Sequence, residues 1–402
     1  MVTQSLAEQI EKRRADIVGF LTALVRAESS NPPGDTRKVA DLVAARLRQA
    51  SIDFQLLADE PRKPNVIARL GTGKPEVLFT THMDTVPAGD RAGWRRDPFG
   101  AEISGARLFG RGAADAKASL AALIAAFEAL TTVLPLRGAL TLTAVSDEEV
   151  GGIKGTEFLV DRGLLVPDHV VVGEITRNRL AVAEKGVLWL RIITHGRAAH
   201  GSTPWDGNNA IDHMVTVLLT IREQIGTRLE RMTHPLTPRP SVSVGTIRGG
   251  IATNIVADWC EATIDRRTLP NESVQEAVAE VERLVAELRA ENSLLDADVE
   301  VLQMGPPIET PATAAVVRAG QAVATALGLD PTVVGYHQAS DGRFFAERGI
   351  PTVLFGPGDP EIAHTTNESV DLDEVLTAAQ FYALLGQRML TPGTGNGEQG
   401  TV

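Results

Sequence analysis

A short apolar run that ends on a carboxylate or an imidazole recurs four times in this chain. No other feature narrows the fold as far. Glu76-Val-Leu-Phe-Thr-Thr81 runs into His82-Met-Asp84, Ala139–Val145 into Asp147-Glu148-Glu149, and His169–Val172 into Gly173-Glu174. The fourth, Pro351–Phe355, is followed by Gly356-Pro-Gly-Asp359 and then His364. Continuous apolar runs suit strands buried on both faces, as in parallel sheets. Around them, Ile10–Ala27, Thr36–Ala50, Ala113–Leu130, Ala312–Leu327 and part of Val370–Leu390 carry apolar residues at helical spacing, and Asn65–Leu70 and Thr332–Val334 read as further strands. The alternation predicts an α/β fold, a mostly parallel sheet with helices on its faces. Ligands of such sheets bind outside the carboxyl ends of the strands, which is where these acids and histidines fall.

The style changes in the middle of the chain. Leu180–Thr194 alternates apolar and polar residues like a half-buried antiparallel strand. A helix is expected at Asn208–Thr227, strands at Ser241–Ile247 and Trp259–Arg266, and a helix at Ser273–Ala290. The Pro-rich stretch Thr233–Pro240 reads as a loop. This is an α+β block, and after Met304-Gly-Pro-Pro307 the first style resumes. The expected organisation is one catalytic α/β domain, residues 1–178 and 304–402, split by an inserted α+β domain, 179–303, within the two or three domains that 402 residues allow.

Composition restricts the chemistry. The single cysteine, Cys260, excludes an intrachain disulfide framework and every Cys-rich zinc site, and reads as a buried small hydrophobe. A metal must then be held by Asp, Glu and a few of the eight histidines. A net charge of −12 argues against nucleic acid. No apolar run approaches the ~20 residues that span a bilayer, and Met1–Phe20 lacks the apolar segment of a secretion signal, so a cytoplasmic protein is expected. The tail from Thr391 to Val402 reads as a frayed end.

His82, Asp115, Glu149, Glu174 and His364 form an oxygen-rich set with two imidazoles, suited to a pair of divalent ions such as Zn²⁺ with one carboxylate serving both. Singly each has an ordinary reading. Asp115, at the end of the Gly-rich turn Gly110–Asp115, could be a helix cap, and Glu148-Glu149 a solvated turn.

Together the residues resemble the M20 metallopeptidase and aminoacylase family, over about Thr22 to Leu390. The motifs are Thr81-His-Met-Asp-Thr-Val-Pro87, Gly110-Arg-Gly-Ala-Ala-Asp-Ala-Lys117, Asp147-Glu-Glu-Val-Gly-Gly152, Gly173-Glu174, and Gly356-Pro-Gly-Asp through His364. The family includes acetylornithine deacetylases, succinyl-diaminopimelate desuccinylases and glutamate carboxypeptidases. The resemblance implies that His82 and Glu174 hold one zinc, and Glu149 and His364 the other, with Asp115 bridging. Asp84 would orient His82 from behind, and Glu148 would be the general base and acid. Co²⁺ or Mn²⁺ could replace zinc.

In the inserted domain, Gly196-Arg-Ala-Ala-His200-Gly-Ser-Thr-Pro204 resembles the family's lid motif. The resemblance implies that His200 stabilises an oxyanion in the partner subunit of a homodimer. Asn254 lies in a segment resembling the family's substrate-contacting loop, although Ala257 stands where proline is common. Asp265-Arg-Arg267-Thr-Leu-Pro270 implies that Arg267 binds a substrate carboxylate, with Arg266 the reader in a slipped register. Ser340 and Asp341 match a substrate pocket segment that departs from the family at Gln338 and Ala339 and leaves His337 unexplained. The implied activity is hydrolysis of the amide bond of small N-acyl amino acids, deacetylase or desuccinylase type. Dipeptidase or carboxypeptidase activity is the alternative, and a non-catalytic binding protein would be expected to lack a ligand or the base.

Overall fold

The computed structural model describes residues 5–133 and 135–391. The expected frayed tail, beyond its first residue, lies outside the described residues. The chain divides into two units: the first runs to Val182 and includes Thr310–Val334 and the residues from Ser340, and the second is Ala183–Glu309 with Gly335–Ala339.

The first unit is built on a sheet with a parallel centre. Strands Gly138–Val145, Glu76–His82, His169–Gly173 and Thr352–Phe355 lie side by side and all parallel. Asn65–Thr72 and Phe54–Leu57 extend one side antiparallel, and Ala181 pairs antiparallel with Leu354 on the other. Glu76–His82 and Gly138–Val145 are buried at every position, which is why they read as continuous apolar runs. Helix Lys117–Leu130 is likewise buried all round and packs against Leu372–Leu390; its Ala-Leu composition favours helix and lets neighbours approach on every side. The expected helix from Ile10 is two helices, Leu6–Lys12 and Arg14–Arg26, parted at Arg13.

The second unit is a four-stranded antiparallel sheet, in the order Ser241–Gly249, Trp259–Thr268, Gly186–His195, Asp296–Gly305. Leu188, Leu190, Ile192, Ala262 and Ile264 pack one face onto residues of helices Ala210–Thr220 and Val274–Glu291. Two features differ from expectation. The run read as one strand from Leu180 is broken at Lys185 into Ala181–Glu184 and Gly186–His195. Asp296–Gly305 is a strand across the expected border at 303; Asp296-Ala-Asp-Val-Glu-Val301 alternates polar and apolar residues, a strand signal the sequence reading passed over. Among the described residues no helix is long and apolar enough to cross a membrane.

Candidate active site

The four parallel strands bring their carboxyl ends to one edge. His82 ends Glu76–His82 and stands opposite Val145, and Glu148 and Glu149 form a short turn just beyond that strand. Glu174 follows the next strand directly, and the loop after Thr352–Phe355 carries His364. Asp115 ends the Gly-rich turn before helix Lys117–Leu130. The order of strands in the sheet thus gathers residues far apart in sequence, as the rule for open α/β sheets anticipates.

Two trios result: His82, Asp115 and Glu174, and Asp115, Glu149 and His364, each with its potential ligand atoms within 4.8 Å of one another. Asp115 belongs to both, and its two oxygens divide the work. Oδ1 lies 3.1 Å from His82 Nε2 and Oδ2 lies 3.2 Å from His364 Nε2. Glu149 is similarly divided: Oε1 accepts the backbone N–H of Val86 at 3.0 Å, and Oε2 lies 3.1 Å from His364 Nε2. Hard carboxylate oxygens with two imidazoles fit a pair of divalent cations.

The electrostatics describe a place shaped for positive charge. Burial opposes charging of His82, but Asp115, Glu148 and Glu174 outweigh it and hold its pKa well above the ordinary value. Hydrogen bonds to Asp115 and Glu149 push His364 up to about 10. Burial would raise Asp115, yet both histidines hold it below the usual carboxylate range. Glu149 is pushed up to about 6 by burial and by Asp115. Glu148 is raised well above its ordinary value, first by burial and then by Asp341, Glu174 and Glu149 against the opposing pull of His82. An upward shift is the direction that suits a carboxyl to general acid–base work.

The Asp84 carboxylate, expected behind His82, makes its hydrogen bonds elsewhere. His82 Nδ1 bonds the backbone carbonyl of Asp84 at 2.9 Å, while the nearer carboxylate oxygen lies 3.7 Å away. The carboxylate instead accepts the backbone N–H groups of Glu148 and Glu149, each at 3.2 Å, and the amide of Asn31 at 2.8 Å. It therefore ties the histidine's strand to the turn that carries both glutamates. Ser340 and Asp341, expected against substrate, are buried and have internal partners: Gly342 N–H donates to Ser340 Oγ, and the Thr156 hydroxyl donates to Asp341 Oδ2 at 2.6 Å. Arg343 donates to the carbonyls of Ser340 and Gly151. This network backs the turn after Glu149, where Gly152 has φ +73° and a Cβ would meet the Phe344 ring at 2.9 Å.

Sequence reasoning missed Glu368. It is 0% exposed, accepts the N–H groups of Ala114 and Asp115 at 2.9 and 3.0 Å, and pairs with Arg111 at 2.6 Å. Arg111 in turn donates to the His364 carbonyl at 3.4 Å. The buried pair thus joins the turn of Asp115 to the loop of His364. The available signals were Arg111 inside the quoted Gly-rich turn and an acid four residues after His364.

The remaining predicted residues lie in the second unit. His200 is exposed, and its Nδ1 accepts the N–H of Ser202 at 3.1 Å, so a neutral ring carries its proton on Nε2. Gly201 N–H donates to the carbonyl of exposed Asn254 at 2.7 Å, holding the two segments together. Arg266 and Arg267 take opposite faces of their strand. Arg266 is 2% exposed, on the helix-covered face, and pairs with Glu272. Arg267 is half-buried on the other face and pairs with Asp265 through two bonds of 2.7 and 3.0 Å. Three of the other histidines have local partners: His195 with Asp298, His213 with Asn208, and His234 with the N–H groups of Leu236 and Thr237.

The two trios could hold metal ions, and comparison with known proteins places the chain among metal-dependent hydrolases. The pattern of Peptidase family M20/M25/M40 matches residues 78–388, and the chain belongs to this family of metal-dependent amidohydrolases. It is 30% identical to an acetylornithine deacetylase of Proteus mirabilis over 328 residues, 80% of this chain and 81% of that one. It is 29% identical to a succinyl-diaminopimelate desuccinylase of Hahella chejuensis, over 88% of this chain and 92% of that one. In fold it matches an M20 family metallo-carboxypeptidase of Sulfolobus solfataricus, with TM-score 0.76, 19% identity and coverage of 93% and 98%. A dipeptidase of Saccharomyces cerevisiae matches with TM-score 0.75, 16% identity and coverage of 95% and 97%.

Proposed function

We propose that this enzyme hydrolyses the amide bond of small N-acyl amino acids, as a deacetylase or desuccinylase, with two zinc ions at the trios sharing Asp115. The observation that carries the reading is that shared carboxylate, one oxygen toward each trio, with Glu148 on the turn beside it. When bound, the ions supply Lewis acidity and a more acidic water. Glu148 takes the proton of the attacking water as the water's oxygen bonds to the amide carbon. It then delivers the proton to the nitrogen as the C–N bond breaks, releasing a carboxylate and an amine. Asp84 holds the Glu148–Glu149 backbone through both carboxylate oxygens. In the proposed homodimer the partner subunit's His200 donates from Nε2 to the developing oxyanion, Asn254 contacts the substrate, and Arg267, freer than Arg266, reads its carboxylate.

A homodimer and a cytoplasmic location belong to the same proposal. Exposed Val215 and Leu219 on one helix and Val244 and Ile247 on the edge strand Ser241–Gly249 support the dimer, since such apolar faces mark association surfaces. Light scattering is expected to give twice the chain mass. The activity is tested by release of free amine from N-acetyl and N-succinyl amino acids and from dipeptides. Faster turnover of the acyl amino acids is expected; cleavage of dipeptides alone would move the assignment to the peptidase alternative.

A further inference from the structure

Helices Arg14–Arg26 and Arg37–Gln49 are joined by a loop that is tied to both strand ends leading into the candidate site. Ser29 Oγ donates to the Met83 carbonyl at 2.8 Å, Thr85 N–H to the Ser29 carbonyl at 3.1 Å, and Asn31 N–H to the Thr85 carbonyl at 2.8 Å. The loop thus runs beside Met83–Thr85, the segment just past His82. At its far end the Thr36 hydroxyl lies 2.6 Å from Ser146 Oγ, one residue before Asp147.

These bonds place the Asn31 side chain between two buried carboxylates. Its Nδ2 donates to Asp84 Oδ2 at 2.8 Å and to Asp147 Oδ1 at 3.2 Å. Asn31, Asp84 and Asp147 are 3%, 0% and 3% exposed. Two like charges that share one nitrogen repel, and little water is there to screen them. A neutral amide with two donor hydrogens bridges them without adding a third charge. Lys63 supplies the positive charge, 2.5 Å from Asp147 Oδ1. The fit is close: Gly34 has φ +80°, and a Cβ there would lie 2.7 Å from Asn31 Oδ1 and 2.8 Å from the Lys63 side chain.

Both carboxylates hold the same turn. Asp84 accepts the N–H groups of Glu148 and Glu149. Asp147 leads into the turn with φ +75°, which a residue with a side chain keeps only where its surroundings fix it. Those surroundings are Asn31, Lys63 and the N–H of Lys154, which donates to Asp147 Oδ2 at 3.1 Å. Asn31 joins the two holds into one.

We infer that Asn31 is a positioning residue: it clamps Asp84 to Asp147, and through them sets the Glu148–Glu149 turn and the affinity of the ion at Asp115, Glu149 and His364. The ion at His82, Asp115 and Glu174 depends on it less. The backbone bond of Asn31 to Thr85 and the bond of His82 to the Asp84 carbonyl do not involve the Asn31 side chain. The statement about the ions rests on the two-zinc reading above; the hold on the turn does not.

The test uses the full chain and three variants. Asn31→Leu fills the space but donates nothing, and Asn31→Ala leaves room. Thr36→Val loosens the loop away from the carboxylates, while Ser146 keeps its bonds to Asn65 and Pro64. In metal-free protein, hydrogen exchange at the backbone amides of Glu148 and Glu149 is expected to quicken roughly 10-fold or more in both Asn31 variants and to stay native in Thr36→Val. Calorimetric titration with Zn²⁺ is expected to show one ion bound as in the native chain and the other roughly 10- to 100-fold more weakly, with both bound normally by Thr36→Val. Native exchange at the turn in both Asn31 variants, or native affinity for both ions, overturns the clamp. Equal weakening of both ions, or a Thr36→Val protein that matches the Asn31 variants, overturns it too, since the loop would then only support the fold. A native chain that binds a single ion would fail the two-zinc reading, and the exchange measurement would still decide for or against Asn31.

Discussion

The two units hold their long cationic side chains differently. In the first, Arg111 is matched by Glu368, and Lys117, 0% exposed and pushed down to about 7 by burial, still donates to the Ala27 carbonyl at 2.8 Å. In the second, Lys185 buries its stem while its ammonium stays open to solvent. A charge satisfied inside the protein fixes geometry, here of the segments that carry Asp115 and His364. A charge left at the surface carries no such load. The candidate ligands and Glu148 belong to the first unit and the proposed carboxylate reader Arg267 to the second, so each unit should fail in its own way.

The largest effect expected is on turnover. Glu148→Gln keeps the shape of the turn but removes proton transfer, and should lower kcat by about 10²–10⁴-fold with metal content and KM little changed. Retained turnover would remove Glu148 as the base and blur the division between the units. Next is Arg111→Met, which leaves Glu368 charged and buried. Chemical denaturation should show a loss of ~3–5 kcal/mol, largely recovered when Glu368→Gln is added.

The smallest effect belongs to the surface. Asp16 bonds Arg46 and Arg13, and Arg46 first of all holds its pKa down, from 3.8 to about 2. A depressed folded pKa means stability that is present above pH ~4 and lost as pH falls toward about 2. The side chain is 45% exposed, so solvent screening limits the contribution to about 1 kcal/mol. Asp16→Asn should therefore cost that much at pH 7, and the gap to native protein should close near pH 2 when both are unfolded in denaturant.

The candidate ligands were legible because His82, Glu149 and Glu174 lie at or just beyond the ends of apolar runs, which a parallel sheet aligns, and Asp115 and His364 lie in loops beside glycine-rich segments. What supports them was not. Glu368 reaches Asp115 across 253 positions, and no local pattern marks such a contact. Asn31 sits in a loop and joins Asp84 to Asp147 only in the folded chain. Adjacent Arg266 and Arg267 looked interchangeable because a strand alternates faces. Only the pairing of Arg267 with Ser241 and Val187, and the helices covering the other face, tell them apart. The break at Lys185 was hidden because apolar residues continue on both sides of it.

The central claim is a two-ion centre held through one shared carboxylate. Metal analysis of the purified protein and three variants tests it directly. The account predicts about two ions per native chain, about one in Glu174→Ala and in Glu149→Ala, and none in Asp115→Ala. A native chain holding a single ion, or an Asp115→Ala protein that keeps two, would contradict it.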